Sequence, residues 1–510
     1  MMVNSKFLLG FFFWTYFSIN AQSLDNSFGT NGKVIHTFSQ NYTAQHQSYF
    51  MQSDGKILNV GYAYEGNYLA KILVTRHLSD GVLDATFDTD GALEFTYGQN
   101  FEEANSIIQL SNGKIAVGGA SFGNAVVAML NDNGTFDSSF GTNGKKFLTI
   151  GQGNGSKIEK LIQQPDGKIL TFGRGSNGND FDFMITRLHL DGTFDTSFGT
   201  NGIVLVPISS FHDFATDAAF QSNGKFVVAG YSTGSQDSIS VIRLNANGSL
   251  DTTFATNGKY NTAFGSSMNE IWGIAIQTDD RIVLAGRVSG SSYNSIETLT
   301  VRLTSNGQLD TSFNSTGFAA VDFKLNAQDA VNDVLLLPNG SILIMGSSNQ
   351  DSEFAMLQFS PNGSINTNFG NNGRFFVSVG NGQVAWINEG LLLPNNDLLV
   401  GGLVVPEVGG KGQFGMVKLT DLNLSATDFY ATNHQISIYP NPFSAIINID
   451  FASDFNFKKA QIVSLIGQQV IKEIDLSKNN AVDVSSLPSG VYLIVLFYDE
   501  HKFSYKIVKN

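Results

Sequence analysis

The sequence predicts an all-β protein, a seven-bladed β-propeller followed by a small Ig-like β-sandwich. Three observations support this prediction. One unit of strands and turns recurs seven times between residues 22 and 426. The 53 glycines of the chain recur at fixed places in that unit instead of forming a low-complexity tract, so the backbone bends often and regularly. Residues 435–510 then change to a different pattern of short alternating strands, which favours a separate domain.

Composition limits both the architecture and the partners. At 510 residues the chain exceeds the length over which one hydrophobic core keeps growing, and 42% apolar residues are ample for packed interiors. The net charge is −14, and because residues 435–510 hold seven acids and seven lysines, the whole excess lies on the repeat region. An acidic surface disfavours nucleic acid and anionic membranes as partners. Cysteine is absent, which excludes disulfides, thiolate catalysis and cysteine-ligated metals.

The repeat is clearest at one turn. LDNSFGTNG, which begins at Leu24, returns as LDATFDTDG, FDSSFGTNG, FDTSFGTNG, LDTTFATNG, LDTSFNSTG and INTNFGNNG. Each copy has an aromatic ring at its centre, namely Phe28, Phe87, Phe140, Phe198, Phe254, Phe313 and Phe369. We expect these side chains to be apolar anchors between blades rather than a ring that stacks on a ligand. Turn glycines such as Gly32 and Gly144 are expected at positive φ.

A second turn and its flanking strands define the blade. Asx-Gly turns, as at Asp54 and Asp166, lie between apolar runs, which is a strong hairpin signal. Each unit predicts four antiparallel strands without helical periodicity, the pattern of a propeller blade. Closing the units into a ring removes exposed terminal edges. An open β-array of the same units is the structural alternative.

These landmarks together resemble the delta-60 repeat, which is found in bacterial surface proteins. The resemblance covers residues 24 to about 420. It implies a propeller-type repeat region outside the cell, in which the recurring residues build the blades.

Residues 1–21 are predicted to be a secretory signal peptide. Lys6 precedes an apolar run that is too short to cross a bilayer core of ~30 Å, and a polar exit follows. We place cleavage between Ala21 and Gln22. A permanent anchor helix is the alternative. No other apolar run approaches spanning length, so no transmembrane segment is expected in the mature chain.

The C-terminal part, residues 435–510, follows a linker at 427–434. Its motifs are YPNP, a glycine after an apolar strand, LPSGVY and a terminal KIVK. Their residues are Tyr439, Pro440, Asn441, Pro442, Gly467, Gly490, Tyr492, Lys506, Ile507, Val508 and Lys509. Several short strands around these motifs predict the small β-sandwich.

This segment resembles the type A C-terminal sorting domain of the type IX secretion system of Gram-negative bacteria. The resemblance implies passage through the periplasm, recognition by the outer-membrane machinery of that system, and release or anchoring at the outer cell surface. An accessory β-sandwich that binds sugar or packs on the repeats is the alternative.

Catalytic motifs are sparse in the repeat region. The histidines occupy unrelated positions in the repeats, no HExxH spacing occurs, and no cofactor is expected. Asp88 and Asp90 have the alternating oxygens that calcium prefers, but a complete loop is missing. Function is expected in the loops that differ between blades. These polar, tyrosine-bearing loops are residues 62–69, 174–182, 231–238, 287–295, 347–353 and 403–413.

The sequence therefore favours a secreted or cell-surface binding and interaction scaffold with a glycan or a surface protein as ligand. Two alternatives stay open. An extracellular glycan-active enzyme, a hydrolase or lyase, would need acidic residues converging in the centre of the ring. A structural surface or motility accessory protein would need no ligand site at all.

Overall fold

The structure is a computed structural model that describes most of the repeat region and most strands of the C-terminal domain. The described residues are 22–38, 42–65, 69–98, 101–151, 155–289, 295–325, 327–348, 353–379, 384–407, 410–420, 422, 437–440, 443–450, 459–464, 469–476, 481–488, 490–498 and 501–509. Every regular element in these residues is a β-strand. The prediction of an all-β propeller-type fold is confirmed.

Six four-stranded antiparallel sheets follow one another along the chain, each formed by consecutive strands. We number them blades 1 to 6, and their strands run from the innermost to the outermost. Blade 1 contains β3 Tyr42–Met51, β4 Ile57–Glu65, β5 Leu69–His77 and β6 Ala92–Phe95. Blade 2 contains β7 Glu102–Gln109, β8 Ile115–Ser121, β9 Asn124–Leu130 and β10 Lys145–Leu148. Blade 3 contains β11 Lys157–Gln163, β12 Ile169–Ser176, β13 Phe181–Leu188 and β14 Ile203–Val206.

The next three blades repeat this order. Blade 4 contains β15 Asp213–Phe220, β16 Phe226–Ser232, β17 Ser238–Leu244 and β18 Lys259–Thr262. Blade 5 contains β19 Asn269–Ile276, β20 Ile282–Ser289, β21 Ile296–Leu303 and β22 Phe318–Val321. Blade 6 contains β23 Asp329–Leu336, β24 Ile342–Ser348, β25 Glu353–Phe359 and β26 Arg374–Ser378. Middle strands such as β8 and β24 are buried along their whole length because neighbouring blades cover both faces of each sheet.

A further sheet, blade 7, joins the two ends of the repeat region. Its inner strands are β27 Val384–Leu392, β28 Leu398–Val405 and β29 Gln413–Thr420. Its outer strands come from the start of the region, because β1 Ser23–Leu24 and β2 Lys33–His36 both pair with β29. Blade 7 also packs on β3 of blade 1, so the series of blade-to-blade contacts closes on itself. The first and last repeats are therefore tied by backbone hydrogen bonds.

The recurring phenylalanines lie at the end of the blades where the repeat turns are found. All seven are at most 1% exposed. Burial of each ring contributes roughly 1.5–3 kcal/mol to folding. Four blades add an arginine whose Nε donates to the turn aspartate and whose guanidinium covers the ring. In blade 4, Arg243 Nε lies 2.7 Å from Asp251 Oδ2 and its Cζ lies 4.8 Å from the Phe254 centroid.

The innermost strand of every blade contains a β-bulge at the same place. The bulged residues are Gln47, Asn105, Glu159, Thr216, Trp272, Asn332 and Asn388. A glycine of the second strand lies opposite each bulge, and no side chain fits there. A Cβ on Gly230 would lie 1.9 Å from the carbonyl oxygen of Phe214, and a Cβ on Gly286 would lie 1.9 Å from that of Glu270. The glycine that follows each hairpin in the sequence is thus required by the bulge.

The C-terminal domain consists of two sheets. One contains β30 Ser437–Tyr439, β31 Ile446–Asp450 and β34 Ala481–Asp483. The other contains β32 Lys459–Ser464, β33 Gln469–Asp475, β35 Gly490–Tyr498 and β36 His501–Lys509. Both contribute to one core, in which Ile447 and Ile449 of the first sheet meet Ile462, Ile494 and Ile507 of the second. The Ig-like character of this domain stays a prediction.

Candidate functional site at the mouth of the central channel

The two ends of the ring differ in their sequence content. In an antiparallel blade, the first and third connections lie at one end, and the second connection and the link to the next blade lie at the other. The Asx-Gly turns and the phenylalanine turns thus share one end. The variable loops that follow the second strands lie at the opposite end, where each innermost strand also begins. The differences between blades are therefore concentrated at one end of the central channel.

The bulged residues link neighbouring blades by hydrogen bonds at four of the blade junctions. Their side chains donate a hydrogen bond to a backbone carbonyl of the next blade. Asn105 donates to Ile158 at 2.8 Å, Thr216 to Ile271 at 2.8 Å and Asn332 to Ile387 at 2.7 Å. Asn388 of blade 7 makes the same bond to His46 of blade 1. This contact is called the interblade clamp below.

The residue after the bulge completes the clamp by accepting a backbone N–H of the next blade. Ser106 accepts from Leu161 at 3.0 Å, and Asp217 accepts from Ile274 at 3.1 Å. Asp333 accepts from Gly390 at 2.7 Å, and Glu389 accepts from Tyr49 at 2.9 Å. Three carboxylates inside the channel are therefore hydrogen-bonded to the scaffold that surrounds them.

Lys160 joins these carboxylates across the channel. Its Nζ lies 3.1 Å from Glu389 Oε1 and 3.6 Å from Asp217 Oδ1. These groups line a cavity of about 250 Å³ together with Asp333 and apolar residues deeper in the channel. Burial raises the pKa of Asp333 to about 8, and the Glu389 charge adds to the shift. Burial also raises the pKa of Glu389, but the Lys160 charge together with hydrogen bonds from Ser48, Tyr49 and Lys160 leaves this pKa below its ordinary value.

Blade 1 has Gln47 at the bulge, and its side chain forms no clamp bond among the described residues. Blades 3 and 5 have Glu159 and Trp272 at this position. No clamp bond from either side chain to the next blade occurs in the described structure. Instead, both belong to a group at the loop end of the channel that we call the channel mouth. Its residues are Glu103, Lys157, Glu159, Arg174, Phe214, Tyr231, Glu270, Trp272 and Arg287. They lie on adjacent strands, with Lys157 opposite Arg174, Phe214 opposite Tyr231 and Glu270 opposite Arg287.

Contacts link the channel mouth continuously from blade 2 to blade 5. Lys157 Nζ lies 2.6 Å from Glu103 Oε2 and 3.2 Å from Glu159 Oε1. The Tyr231 ring stacks on Phe214 with centroids 5.0 Å apart and lies 5.8 Å from the ring of Trp272. Glu270 accepts hydrogen bonds from Trp272 Nε1 at 3.1 Å and from Arg287 Nε at 2.8 Å.

Protonation states at the channel mouth follow from burial and neighbouring charges. Burial raises the pKa of Glu159; Lys157 opposes this effect and Glu103 adds to it, leaving the pKa above its ordinary value. Burial, with Glu270 nearby, raises the pKa of Tyr231 to about 12. The Tyr231 phenol is therefore neutral at physiological pH and offers a ring face and a hydroxyl, not a base.

Trp386 of blade 7 stands two residues before its bulge, as Phe214 does in blade 4, and it is 46% exposed.

The individual site residues predicted from the sequence lie away from the channel mouth. The seven phenylalanines are buried between blades at the opposite end, as described above. Asp90 accepts the N–H of Ala92 at 3.0 Å, and the nearby Asp84 and Glu94 are paired with Arg76 and Lys71. No group of three or more metal-ligating residues occurs in the part of the chain that the structure describes. Of the predicted cleavage site, Ala21 lies outside the described residues, and Gln22 accepts the N–H of Gly370 at 2.8 Å.

The sorting-signal residues are spread over the C-terminal domain. Tyr439 is exposed, whereas Tyr492 and Ile507 are buried, and the Tyr492 hydroxyl donates to the Pro488 carbonyl at 2.8 Å. Lys509 Nζ donates to the carbonyls of Val484 at 3.1 Å and Ser485 at 3.2 Å. Pro440, Gly490, Lys506 and Val508 have described backbone positions. Asn441, Pro442 and Gly467 lie outside the described residues, as do the predicted signal peptide 1–21 and the predicted linker 427–434.

Six of the nine channel-mouth residues, all of them on innermost strands, were not predicted from the sequence. The available signal is positional. Every bulged residue stands at the same offset before the Asx-Gly turn or its equivalent, so an in-frame comparison of the repeats shows Glu and Trp where Asn and Thr form the clamp. The other three, Arg174, Tyr231 and Arg287, are the first residues of the variable loops in which function was predicted.

Four-stranded sheets that close on themselves, with variable loops at one end and a second small domain of two sheets, define a β-propeller repeat protein with a C-terminal accessory domain. The repeats match the family described as "Domain of unknown function (DUF5122) beta-propeller" at residues 52–87, 110–140, 164–198, 221–254, 277–313 and 337–369. Residues 437–510 match the "Secretion system C-terminal sorting domain". The chain therefore carries DUF5122 propeller repeats and a type IX sorting domain, and the resemblance noted for its C-terminal part is confirmed. The delta-60 name stays a prediction.

The sorting domain also establishes the destination. It indicates export through the type IX secretion system of Gram-negative bacteria, to the cell surface or the surroundings, with the machinery of that system as a partner. Within the described residues, no helix has the length and apolar character needed to cross a bilayer.

Similar solved structures are distant in sequence. Virginiamycin B lyase from Staphylococcus aureus is 12% identical, with a TM-score of 0.44, over 76% of this chain and 98% of that chain. Polysaccharide lyase Uly1 is 7% identical, with a TM-score of 0.44, over 76% and 94%. The β-propeller domain of the Trilobed protease from Pyrococcus furiosus is 8% identical, with a TM-score of 0.37, over 75% and 100%. No curated protein sequence matches the chain.

Proposed function

We propose that the exported chain is a glycan-binding scaffold whose ligand site is the channel mouth. One observation carries this proposal. In blades 3 and 5 the bulged positions, which form the interblade clamp in blades 2, 4, 6 and 7, hold Glu159 and Trp272, and these side chains meet an aromatic and charged surface. A residue that does not form the structural contact made at equivalent positions of other blades can contact a ligand instead.

The chemistry of the channel mouth suits a sugar. Aromatic faces such as those of Tyr231 and Trp272 cover the apolar side of a pyranose ring, while carboxylates and guanidinium groups bond its hydroxyls. Blades 2 and 7 also present aromatic side chains to solvent at this end of the ring. Trp386 is 46% exposed, Phe101 is 54% exposed and Phe122 is 52% exposed. A ligand longer than one sugar unit would contact these residues as well.

The test is binding of the mature secreted chain to a glycan array, followed by calorimetry with the best glycan. We expect binding to weaken by up to about tenfold in Trp272→Ala, since stacking on an aromatic side chain contributes about 0.5–1.5 kcal/mol. The matched control is Phe147→Ala, which removes an aromatic side chain 40% exposed on the outer strand β10. Undiminished binding by Trp272→Ala would overturn the proposed site.

If no glycan binds, two explanations remain. Either the channel mouth binds a surface protein, or the ring has a structural accessory role and binds no ligand. Loss of surface structure or motility in a Trp272→Ala strain would then distinguish a protein contact at this surface from a purely architectural role of the ring.

A second candidate function is hydrolysis of the bound glycan. The observation that favours it is the pair Glu103 and Glu159, whose carboxylates both contact Lys157 Nζ, at 2.6 and 3.2 Å. Their oxygens are therefore no more than about 6 Å apart, comparable with the ~5–5.5 Å between the carboxyl groups of retaining glycosidases. The raised pKa of Glu159 is the direction that a general acid needs.

Hydrolysis is tested by incubating each glycan that binds with the secreted chain and measuring new reducing ends. An active chain should lose product formation in Glu159→Gln while retaining binding. Binding without product over long incubation supports the scaffold function alone.

A further inference from the structure

The cations of the channel mouth differ in how they are neutralised. Lys157 contacts Glu103 and Glu159, and Arg287 Nη2 lies 2.7 Å from Glu270 Oε2. Arg174 makes no ion pair with any residue that the structure describes. Its Nε donates to the Gly155 carbonyl at 3.1 Å. The Nη1 and Nη2 donors have no protein acceptor among the described residues, so this positive charge acts on Glu159 from a distance without a direct ion pair.

Aromatic rings hold the Arg174 guanidinium in place. Its Cζ lies 5.2 Å from the Phe181 centroid and 5.4 Å from the Phe214 centroid. Contacts of this kind stabilise a guanidinium and restrict its rotation. With Nε held by the backbone and the plane held by the rings, the two terminal nitrogens keep a fixed fork. A fork of this geometry matches two oxygens of a carboxylate or sulfate group.

The local charge balance also permits an anion. The channel mouth has three carboxylates, on Glu103, Glu159 and Glu270, and three cations, on Lys157, Arg174 and Arg287. It is therefore close to neutral, although the whole chain carries −14. Because burial raises the pKa of Glu159, uptake of a proton there would make the site positive. An anionic ligand meets less repulsion here than elsewhere on the repeat region.

We propose that Arg174 binds the anionic group of an acidic glycan, a sugar carboxylate or a sulfate ester, stacked beside Tyr231 and Phe214. This inference rests on the proposed function because it names the class of glycan that the channel mouth selects. A bidentate charge-assisted contact changes affinity by about tenfold to a hundredfold.

The experiment compares matched ligands on the full mature chain by calorimetry. One series uses a uronate-containing oligosaccharide and its carboxyl-reduced neutral counterpart, and the other uses a sulfated oligosaccharide and its desulfated counterpart. We expect the anionic member of at least one pair to bind at least about tenfold more tightly than the neutral member. The pair that shows the difference distinguishes carboxylate from sulfate. The preference should decrease as salt increases, because the contact is ionic.

Variants assign the preference to its residue. Arg174→Gln should remove the preference, so that the anionic and neutral members bind equally, and Arg174→Lys should retain only part of it. The matched control is Arg374→Gln, which makes the same charge change on the outer strand β26. Equal binding of anionic and neutral members by the wild-type chain would overturn the inference while the proposed function stands. A preference that Arg174→Gln retains would also overturn it. Absence of binding in both series and on the array would instead refute the proposed function.

Discussion

Lys160 of β11 reaches across the central channel to Glu389 of β27, with Nζ 3.1 Å from Oε1. The two residues belong to blades 3 and 7, which are not neighbours in the ring. Glu389 also accepts the N–H of Tyr49 in blade 1. The Lys160 side chain therefore connects opposite sides of the ring below the channel mouth, at a depth where Asp217 and Asp333 are hydrogen-bonded to the next blade.

Removing this cation should destabilise the ring. In Lys160→Met the carboxylates of Glu389 and Asp217 keep their positions without the charge that neutralises them. Breaking a buried pair in this way costs about 3–5 kcal/mol, and partial solvent access in the channel places the expected value towards the lower end. Chemical denaturation measures it. The double variant Lys160→Met with Glu389→Gln should recover part of the loss; a single variant as stable as the wild type would show that water, not Lys160, neutralises the acids.

The stability of the propeller should depend on pH through Asp333. Its pKa is about 8 in the folded chain and near the ordinary value of 3.8 when unfolded, so between these values only the folded state binds the proton. Stability therefore falls as pH rises through this window, by about 1.4 kcal/mol per pH unit for one such group. Glu389, with its lowered pKa, acts only at more acidic pH.

Asp333→Asn tests this pH dependence. The unfolding free energy of the variant, measured from pH 5 to pH 8 by denaturation, should have a shallower slope than that of the wild type. Asp217, whose pKa is also raised by burial, leaves some slope in both proteins. Identical slopes would show that Asp333 is ionised in the folded state, and the hydrogen-bonded acid described here would then be wrong.

The glycines opposite the bulges should not tolerate any side chain. In Gly230→Ala the new Cβ would lie 1.9 Å from the Phe214 carbonyl oxygen, so the bulge of β15 must shift. Forced displacement of packed backbone costs about 3 kcal/mol or more. Gly224→Ala is the control, since φ is +78° there but no atom lies within 4 Å of the added Cβ. That variant should lose only about 1–2 kcal/mol, from the left-handed conformation. Equal losses in thermal or chemical unfolding would refute the steric account.

Export should require the last strand of the sorting domain. Residues 506–510 include Ile507, which is fully buried, and Val508, whose carbonyl accepts the Phe443 N–H at 2.8 Å. Their deletion removes part of the pairing between β36 and β35 and exposes the core of the domain. We expect a folded propeller that remains in the periplasm, detected by fractionation and by protease treatment of intact cells. Surface display equal to that of the full-length chain would contradict the sorting assignment.

The architecture was accessible from the sequence because its signals are local. Asx-Gly turns and glycines at positive φ leave a mark within a few residues, and Gly32 and Gly144 have φ values of 80° and 82° as expected. The phenylalanine turn could be recognised because it recurs. The same regularity explains the closure of the ring, because β1 and β2 supply the outer strands that complete the blade formed by β27, β28 and β29.

The innermost-strand residues of the channel mouth could not be predicted from the sequence, for a physical reason. A β-bulge inserts one residue and reverses the faces of the strand beyond it, so simple alternation assigns Glu159 and Lys160 to the wrong sides. The interblade clamp is equally invisible, because the bond from Asn105 to Ile158 joins residues in different blades. Only when the clamp is known do Gln47, Glu159 and Trp272 stand out as positions where it is absent, and of these Glu159 and Trp272 belong to the channel mouth.

The central claim, that ligands bind at the channel mouth, has a reporter built into the chain. Of its three tryptophans, Trp14 lies in the predicted signal peptide, and the other two, Trp272 and Trp386, are on the innermost strands at the loop end of the channel. A Trp386→Phe chain without the signal peptide therefore fluoresces from Trp272 alone. Titration with the glycan identified on the array should change this fluorescence and saturate at the affinity that calorimetry gives. Saturable binding by calorimetry with unchanged Trp272 emission would place the ligand elsewhere and contradict the account.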